Sequence, residues 1–398
     1  MENKIDIINM KKLQGDWNYP TSIRFGIGCV ADLYDTCKKL NMTKPLLVTD
    51  SGLAKLNMVT DLIESNKIKG LDIQVFSDVK PNPTGDNVQQ GVYFYKKNEC
   101  DGVIAFGGGS GIDAGKTIAL MAAQEYSLWD FEDVGVNWKR VNPQGIAPCI
   151  AIPTTAGTGS EVGRASVVVD ELSHTKKIIF HPNMLPDLVI ADAQLTQNLP
   201  AHITAATGMD AFVHSLEAYC VNSYHPMADG VALESMRLIK EWLPCAYKNG
   251  SNLVARSHML VASTMGATAF QKGLGGVHAL AHPLGAIYDK HHGLLNAILL
   301  PYVLLKNKSV IGNKINHVAN CLNLKNNNFD EFFNWVLEFR SKLGVASNLK
   351  SIGLNTDKSE LIGQLASKDS TASGNPISFS AEQYSEIFEN AVNGNLSE

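Results

Sequence analysis

The sequence predicts an α/β N-terminal half built on a mostly parallel sheet, followed by an all-helical C-terminal half, and three observations carry that prediction. From Pro45 to Asp192 short β-branched runs alternate with helical stretches: PLLVTD, DIQVFSD, GVIAFGGGS, CIAIPTT, KKIIF and LVIAD. That rhythm is the signature of βαβ units. Most of these runs are apolar on successive residues, as strands covered by helices on both faces should be, and several end in Asp, Gly, Ser or Thr. After about Thr196 the pattern changes: TAATGMDAFVHSLEAYC and ADGVALESMRLIKEWL place apolar residues three and four apart, which is helical spacing.

A chain of 398 residues exceeds one core of ordinary size, about 100 to 150 residues, so two domains are expected. The change of pattern places them at 1–194 and 195–398. Internal repeats and low-complexity segments are missing, and the polar stretches Lys325–Asn328 and Ser367–Pro376 read as loops of the helical half.

Composition narrows the function. A net charge of -5, with 18% charged and 45% hydrophobic residues, lacks the basic stripe that nucleic acid requires. No apolar run approaches the roughly 20 residues of a membrane span, and Met1–Lys12 is mixed polar, so neither a membrane nor an export signal is expected and the chain should remain in the cytoplasm. Seven scattered cysteines without a C-x-x-C pair argue against a disulfide framework or a thiolate metal site and read as buried free thiols.

Gly107, Gly108, Gly109 and Ser110 follow the strand-like GVIAF and precede the helical run GIDAGKTIALM. Bare backbone N–H groups at a helix N-terminus would then face an incoming anion, and a pyrophosphate fits that description. A tight turn needing permissive glycines would look the same. The P-loop spacing fails because Ser110 stands where its first glycine belongs; the strict G-x-G-x-x-G fingerprint fails at Ile112, although Gly109, Gly111 and Ala114 satisfy its looser form.

Asp210 and His214, four apart in a helical stretch, share one face. Alone, such a pair is usually a carboxylate and an imidazole sharing a hydrogen bond. Further on, GGVHALAHPLGAIYDKHHG gathers His278, His282, His291 and His292, four of eleven histidines, among small and apolar neighbours. Imidazoles so placed need partners. His278 and His282 share a face, and Pro283 with Gly285 suggests a helix break that swings His291 or His292 back toward the same point. One carboxylate with several imidazoles suits Fe(II), Zn(II) or Co(II) rather than Mg or Ca. Four protein ligands would close a tetrahedral zinc, whereas an ion taking five or six ligands keeps a place for substrate, which favours Fe(II).

These residues resemble the iron-containing (group III) alcohol dehydrogenases, in GGGS at 107–110, AIPTTAGTGSEV at 151–162, ATGMDAFVHSLEAY at 206–219 and HALAHPLGAIYDKHHG at 278–293. The likeness extends to SIRFGIG at 22–28, VTD at 48–50, PNPT at 81–84 and GNP at 374–376, and so spans nearly the whole chain. It implies that Asp210, His214, His278 and His292 bind the metal, that His282 relays a proton, and that His291 lies in a second shell or at the surface. It implies that Gly108, Gly109 and Ser110 wrap a pyrophosphate, with Asp113, Thr154, Thr155 and Lys176, or Lys177 one position on, lining the rest of a dinucleotide-binding, Rossmann-like groove. Asp50 resembles the family's ribose carboxylate, which accepts bonds from ribose hydroxyls and repels a 2′-phosphate, so NAD is expected over NADP.

The implied activity is hydride transfer between a primary alcohol, or its aldehyde, and NAD, in a homodimer. Arg164 departs from the neutral residues that many relatives carry after SEV, and either recognises an anionic semialdehyde, or pairs with a structural carboxylate or faces solvent. A dehydroquinate-synthase-like lyase is the rival enzyme, less well matched by GMDAFVH and HALAHPLGA; a metal-storage module would leave Asp50, GGGS and PTTAGT without a role.

Overall fold

The computed structural model describes residues 17–173 and 175–396; the Met1–Lys12 stretch, read above as mixed polar, lies outside the described residues. The chain packs as two compact units. One, the α/β unit, comprises 20–208 and 242–264; the other, the helical unit, comprises 209–241, 265–398 and the segment ending at Tyr19. The sequence pattern changes near 195, after the last strand, whereas the packing boundary falls between Gly208 and Met209, inside a helix. Sequence periodicity follows the type of element, while a compact unit follows which side chains bury one another, so the two need not coincide.

In the α/β unit the strands are β1 (Ser22–Phe25), β2 (Pro45–Asp50), β3 (Gln74–Val79), β4 (Gly102–Gly107), β5 (Cys149–Pro153), β6 (Ala165–Asp170), β7 (Thr175–Phe180) and β8 (Leu188–Ala191). Six of them form one parallel sheet in the order β1-β8-β5-β4-β2-β3. The apolar runs of β4 and β5 are buried throughout, and β2 is buried up to Asp50. KKIIF does not join this sheet: β7 pairs antiparallel with β6 in a separate two-stranded ribbon. The connection from Asp170 to Thr175 is far too short for the crossover that a parallel neighbour requires, and only Ile179 of β7 is buried. SIRF, by contrast, is a full member of the sheet at its edge, beside β8.

The helices α1 (Leu33–Lys39), α2 (Asn57–Ile68), α3 (Gly85–Lys97) and α4 (Gly109–Met121) link the strands. From β2 the chain moves outward to β3, then returns to place β4 on the other side of β2 and continues toward β5. The order therefore switches between β2 and β4, and ligands of open α/β sheets bind beyond the carboxyl ends of strands at such a point. Asp50 ends β2, Gly107 ends β4 and Thr154 follows β5, so the polar ends read from the sequence lie along one edge. Segment 242–264 belongs to this unit through buried Arg256, which donates to the carbonyls of Gly250 (2.9 Å) and Leu199 (3.1 Å) and to Thr204 Oγ1 (2.7 Å).

The later helices are α5 (Ala201–Cys220), α6 (Pro226–Lys248), α7 (Leu253–Ala269), α8 (Gly276–Tyr288), α9 (His292–Cys321), α10 (Phe329–Lys342), α11 (Ser359–Lys368) and α12 (Ala381–Asn393). Helix α9 is long and apolar enough to cross a membrane by length and composition, although Asn296 and Lys306 bound its uninterrupted apolar run well short of a span; 67% of its apolar window is buried inside the protein, as in a core helix. Pro283 does not break α8: the helix runs on to Tyr288, and the chain turns at Asp289, which has left-handed backbone (φ 49°). None of the seven cysteines forms a disulfide; Cys37, Cys100, Cys149 and Cys220 are buried as expected of all, but Cys245 is exposed and Cys29 and Cys321 are partly so.

Helix α4 reaches its place because Gly115 lets it lie directly on β4: a Cβ at 115 would stand 2.5 Å from the Cβ of Ala105. Gly115→Val should therefore push α4 off the sheet, cost about 1 to 3 kcal/mol, and weaken NADH binding. A thermal melt and a fluorescence titration check this; an unchanged NADH affinity would contradict the role given to α4.

Candidate metal centre and cofactor edge

The N-terminus of α4 is open. Its N-cap is Gly108, no side chain caps it, and the first turn carries no acidic residue, so first-turn N–H groups remain for an anion, reinforced by the helix dipole. Packing also leaves little room for a side chain at 109, where a Cβ would meet Thr158 Oγ1 at 2.7 Å, and one at 108 would press on Thr155 at 3.3 Å. The glycines thus serve close packing, and the turn leaves backbone N–H groups without a side-chain cap. Ser110 Oγ donates to the carbonyl of Pro81 and ties this turn to PNPT. Thr154, buried, donates its backbone N–H to Gly107 (2.9 Å).

Asp50 Oδ1 accepts from the backbone N–H groups of Gly52 (2.8 Å) and Leu53 (2.9 Å), which orients the carboxylate at the end of β2. Asp113 departs from its expected place on the groove. Its carboxylate accepts from the Ser160 hydroxyl and the Val167 N–H (3.0 Å) and pairs with buried Lys116 at 3.4 Å, so it joins α4 to β6 instead. A carboxylate is needed there because Lys116 is otherwise surrounded by backbone carbonyls. Lys176 and Lys177 project to opposite faces of β7. Lys177 pairs with Asp170 (3.0 Å) and Glu132 (3.5 Å), a partnership that raises its own pKa and lowers that of Asp170 to about 2. Lys176 stands opposite Val169 in the ribbon.

In the helical unit, α5 presents Asp210 and His214 one turn apart, α8 presents His278, and α9 begins with His292. The Asp289–His291 corner reverses the chain so that His292 returns to the pair on α5, while His291 is exposed and its Nδ1 accepts from the Leu294 N–H as the N-cap of α9. Asp210 Oδ1 lies 3.9, 4.0 and 3.7 Å from Nε2 of His214, His278 and His292, and the four ligand atoms all fall within 4.8 Å of one another. Burial, then the neighbouring His214, holds the His278 pKa well below its usual value, so its imidazole is neutral.

These residues suit a divalent ion. Three imidazole nitrogens converge on a single buried carboxylate, a donor set that a borderline divalent ion prefers. His278 Nδ1 lies 2.7 Å from Glu217 Oε2, so its proton sits on Nδ1 and its Nε2 lone pair points inward. Glu217 also accepts from the N–H groups of Gly275 (3.0 Å) and Val277 (2.7 Å); burial pushes its pKa up to about 7 against those bonds. Asn296, fully buried, places Nδ2 2.7 Å from Asp210 Oδ1 and 3.1 Å from Nε2 of both His278 and His292, with its Oδ1 left unsatisfied.

His282, one turn beyond His278, stacks on His292 at 5.4 Å and bonds through Nδ1 to Asp369 Oδ2 at 2.9 Å. Burial raises the Asp369 pKa, but His282 and Thr371 more than offset it and hold the carboxyl below its usual value. Glu217, Asn296 and Asp369 escaped the sequence reading. The first two carried a signal, since Glu217 follows Asp210 by seven on α5 and Asn296 follows His292 by four on α9. Asp369 lies in a stretch read as a loop and carried none.

An α/β unit with an anion seat at its switch point and a helical unit with a three-imidazole, one-carboxylate centre define a dinucleotide- and metal-dependent enzyme. Residues 20–193 match the family described as iron-containing alcohol dehydrogenase, and residues 204–392 match the Fe-containing alcohol dehydrogenase family, C-terminal. The chain belongs to the iron-containing alcohol dehydrogenases. It is similar to the 4-hydroxybutyrate dehydrogenase of Cupriavidus necator (34% identity over 384 residues, 94% of this chain and 99% of that one). It is also similar to the NAD-dependent methanol dehydrogenase of Bacillus methanolicus (32% over 380 residues, 94% and 98%). Its fold matches the crystal structure of a 1,3-propanediol oxidoreductase with a TM-score of 0.90 at 33% identity, covering 95% of this chain and 100% of that one.

Because Glu217 sets the tautomer of His278, Glu217→Gln should weaken Fe(II) or Zn(II) binding about 10- to 100-fold. Competition against a chromogenic chelator measures this, and an unaltered affinity would remove Glu217 from the metal's support.

Proposed function

We propose that this chain interconverts a small primary alcohol and its aldehyde with NAD, using a divalent ion held by Asp210, His214, His278 and His292. The observation that carries the reading is the convergence of three imidazoles and one carboxylate, with their ligand atoms within 4.8 Å of one another. Bound there, Fe(II) or Zn(II) supplies Lewis acidity toward the alcohol oxygen, and NAD bound at the α4 edge supplies the hydride acceptor.

The chain's own residues do the rest. Gly108, Gly109 and Ser110 offer backbone N–H groups to the pyrophosphate, with Thr154, Thr155 and Lys176 as further groove residues. Asp50, oriented through Oδ1, keeps Oδ2 for ribose hydroxyls and repels a 2′-phosphate. His282 takes up the alcohol proton in oxidation and returns it in aldehyde reduction. Arg164 rests its guanidinium 5.7 Å over the Phe180 ring, which accounts for this residue without an anionic substrate, so the alcohol reading stands ahead of the semialdehyde one.

A homodimer and a cytoplasmic site complete the proposal. Support for the first is β1, an edge strand exposed along its length, with Ile23 and Phe25 uncovered and Ile27 uncovered just beyond it; support for the second is a set of seven cysteines none of which is in a disulfide.

Anaerobically purified protein loaded with Fe(II) or Zn(II) should oxidise NADH with aldehydes, and Asp210→Ala or His278→Ala should lower turnover at least about 100-fold while NADH still binds. Following NADH absorbance over a panel of neutral and carboxylated aldehydes checks this. Metal-independent turnover would defeat the metal assignment, and a panel with no turnover at all would favour lyase chemistry.

A further inference from the structure

Among the described residues His282 is held by a carboxylate that is itself held. Its Nδ1 lies 2.9 Å from Asp369 Oδ2, while Asp369 Oδ1 accepts from the Thr371 N–H (2.9 Å) and the Thr371 hydroxyl (2.6 Å). Asp369 is the N-cap of the 3₁₀ turn Ser370–Gly374 that follows α11, so two bonds from its own turn aim the remaining oxygen at the imidazole. An ionised carboxylate only accepts, so the hydrogen bond requires the proton of neutral His282 to reside on Nδ1. The lone pair is then on Nε2.

We propose that Asp369 is the positioning residue of the proton relay: it locks His282 as the Nδ1–H tautomer and fixes its ring plane, with Thr371 aiming the carboxylate. The inference rests on the reading of His282 as the proton carrier. In alcohol oxidation the hydroxyl proton passes to His282 Nε2 as the hydride leaves with its electron pair for NAD. The Nδ1 proton stays in its bond to Asp369, whose charge stabilises the imidazolium, and the Nε2 proton departs to water. Asp369 neither gains nor loses a proton.

Asp369→Asn tests this at nearly constant volume. An amide turned to donate from its nitrogen to Nδ1 favours the Nε2–H tautomer, which blocks the accepting atom. In the Zn(II)-loaded protein, ¹⁵N-histidine NMR should show the His282 tautomer changing. With the metal shown to support turnover, kcat should fall about 100-fold, while KM, metal content and NADH affinity stay within about threefold. Asp369→Glu should recover part of the loss, and Asp369→Asn should cost nothing further in a His282→Ala background. If Asp369→Asn does not fold, Thr371→Val, which removes one bond to the carboxylate, should move both readouts the same way by less.

An unchanged tautomer, or kcat within threefold of wild type in Asp369→Asn while His282→Ala is impaired, would overturn the inference. An inactive wild type or a fully active His282→Ala would instead overturn the role of His282 itself, and the tautomer measurement would still decide whether Asp369 sets the proton.

Discussion

A buried carboxylate and three imidazoles whose ligand atoms converge on one point make a donor set for a divalent ion, and the surrounding helices are built around that convergence. Asp210, His214, His278 and His292 form such a group, and much of the helical unit is arranged to present it. Helix α5 supplies two ligands one turn apart, the Asp289–His291 corner brings the start of α9 back to them, and Glu217 keeps the His278 lone pair pointed inward. Burying these donors costs desolvation, which binding of an ion would offset.

The α/β unit answers a different constraint. A parallel sheet brings the first turns of its helices to one edge, where that of α4 has no side-chain cap, and the switch of strand order between β2 and β4 opens a place there for a ligand. The glycines of α4 serve that edge twice, once by baring N–H groups at 108–110 and once, at Gly115, by letting the helix lie against Ala105. Asp113 shows how narrow the separation between binding and structure is. It lies one turn from the anion seat, yet its charge is needed by buried Lys116.

Elements were legible where periodicity and burial agree. The buried runs of β2, β4 and β5 and the Asp210–His214 spacing came directly from the residues. KKIIF was misplaced because an apolar run does not reveal whether its partner is parallel, a matter settled by the short connection to β6. Spacing alone could not choose between His291 and His292: the reversal depends on the left-handed backbone of Asp289, and Pro283, the stronger sequence signal, is absorbed within α8. The family resemblance supplied that choice. Glu217 and Asn296 lie at helical spacing from ligands, a signal that spacing carries, whereas Asp369 meets His282 across 87 residues and only the fold brings them together.

The most direct test of the central claim is anomalous diffraction at the zinc or iron edge from crystals of metal-loaded protein. The account predicts one strong peak per chain, about 2.0 to 2.2 Å from Asp210 Oδ1 and from Nε2 of His214, His278 and His292. A metal bound elsewhere, or no peak among these four residues under saturating metal, would contradict it.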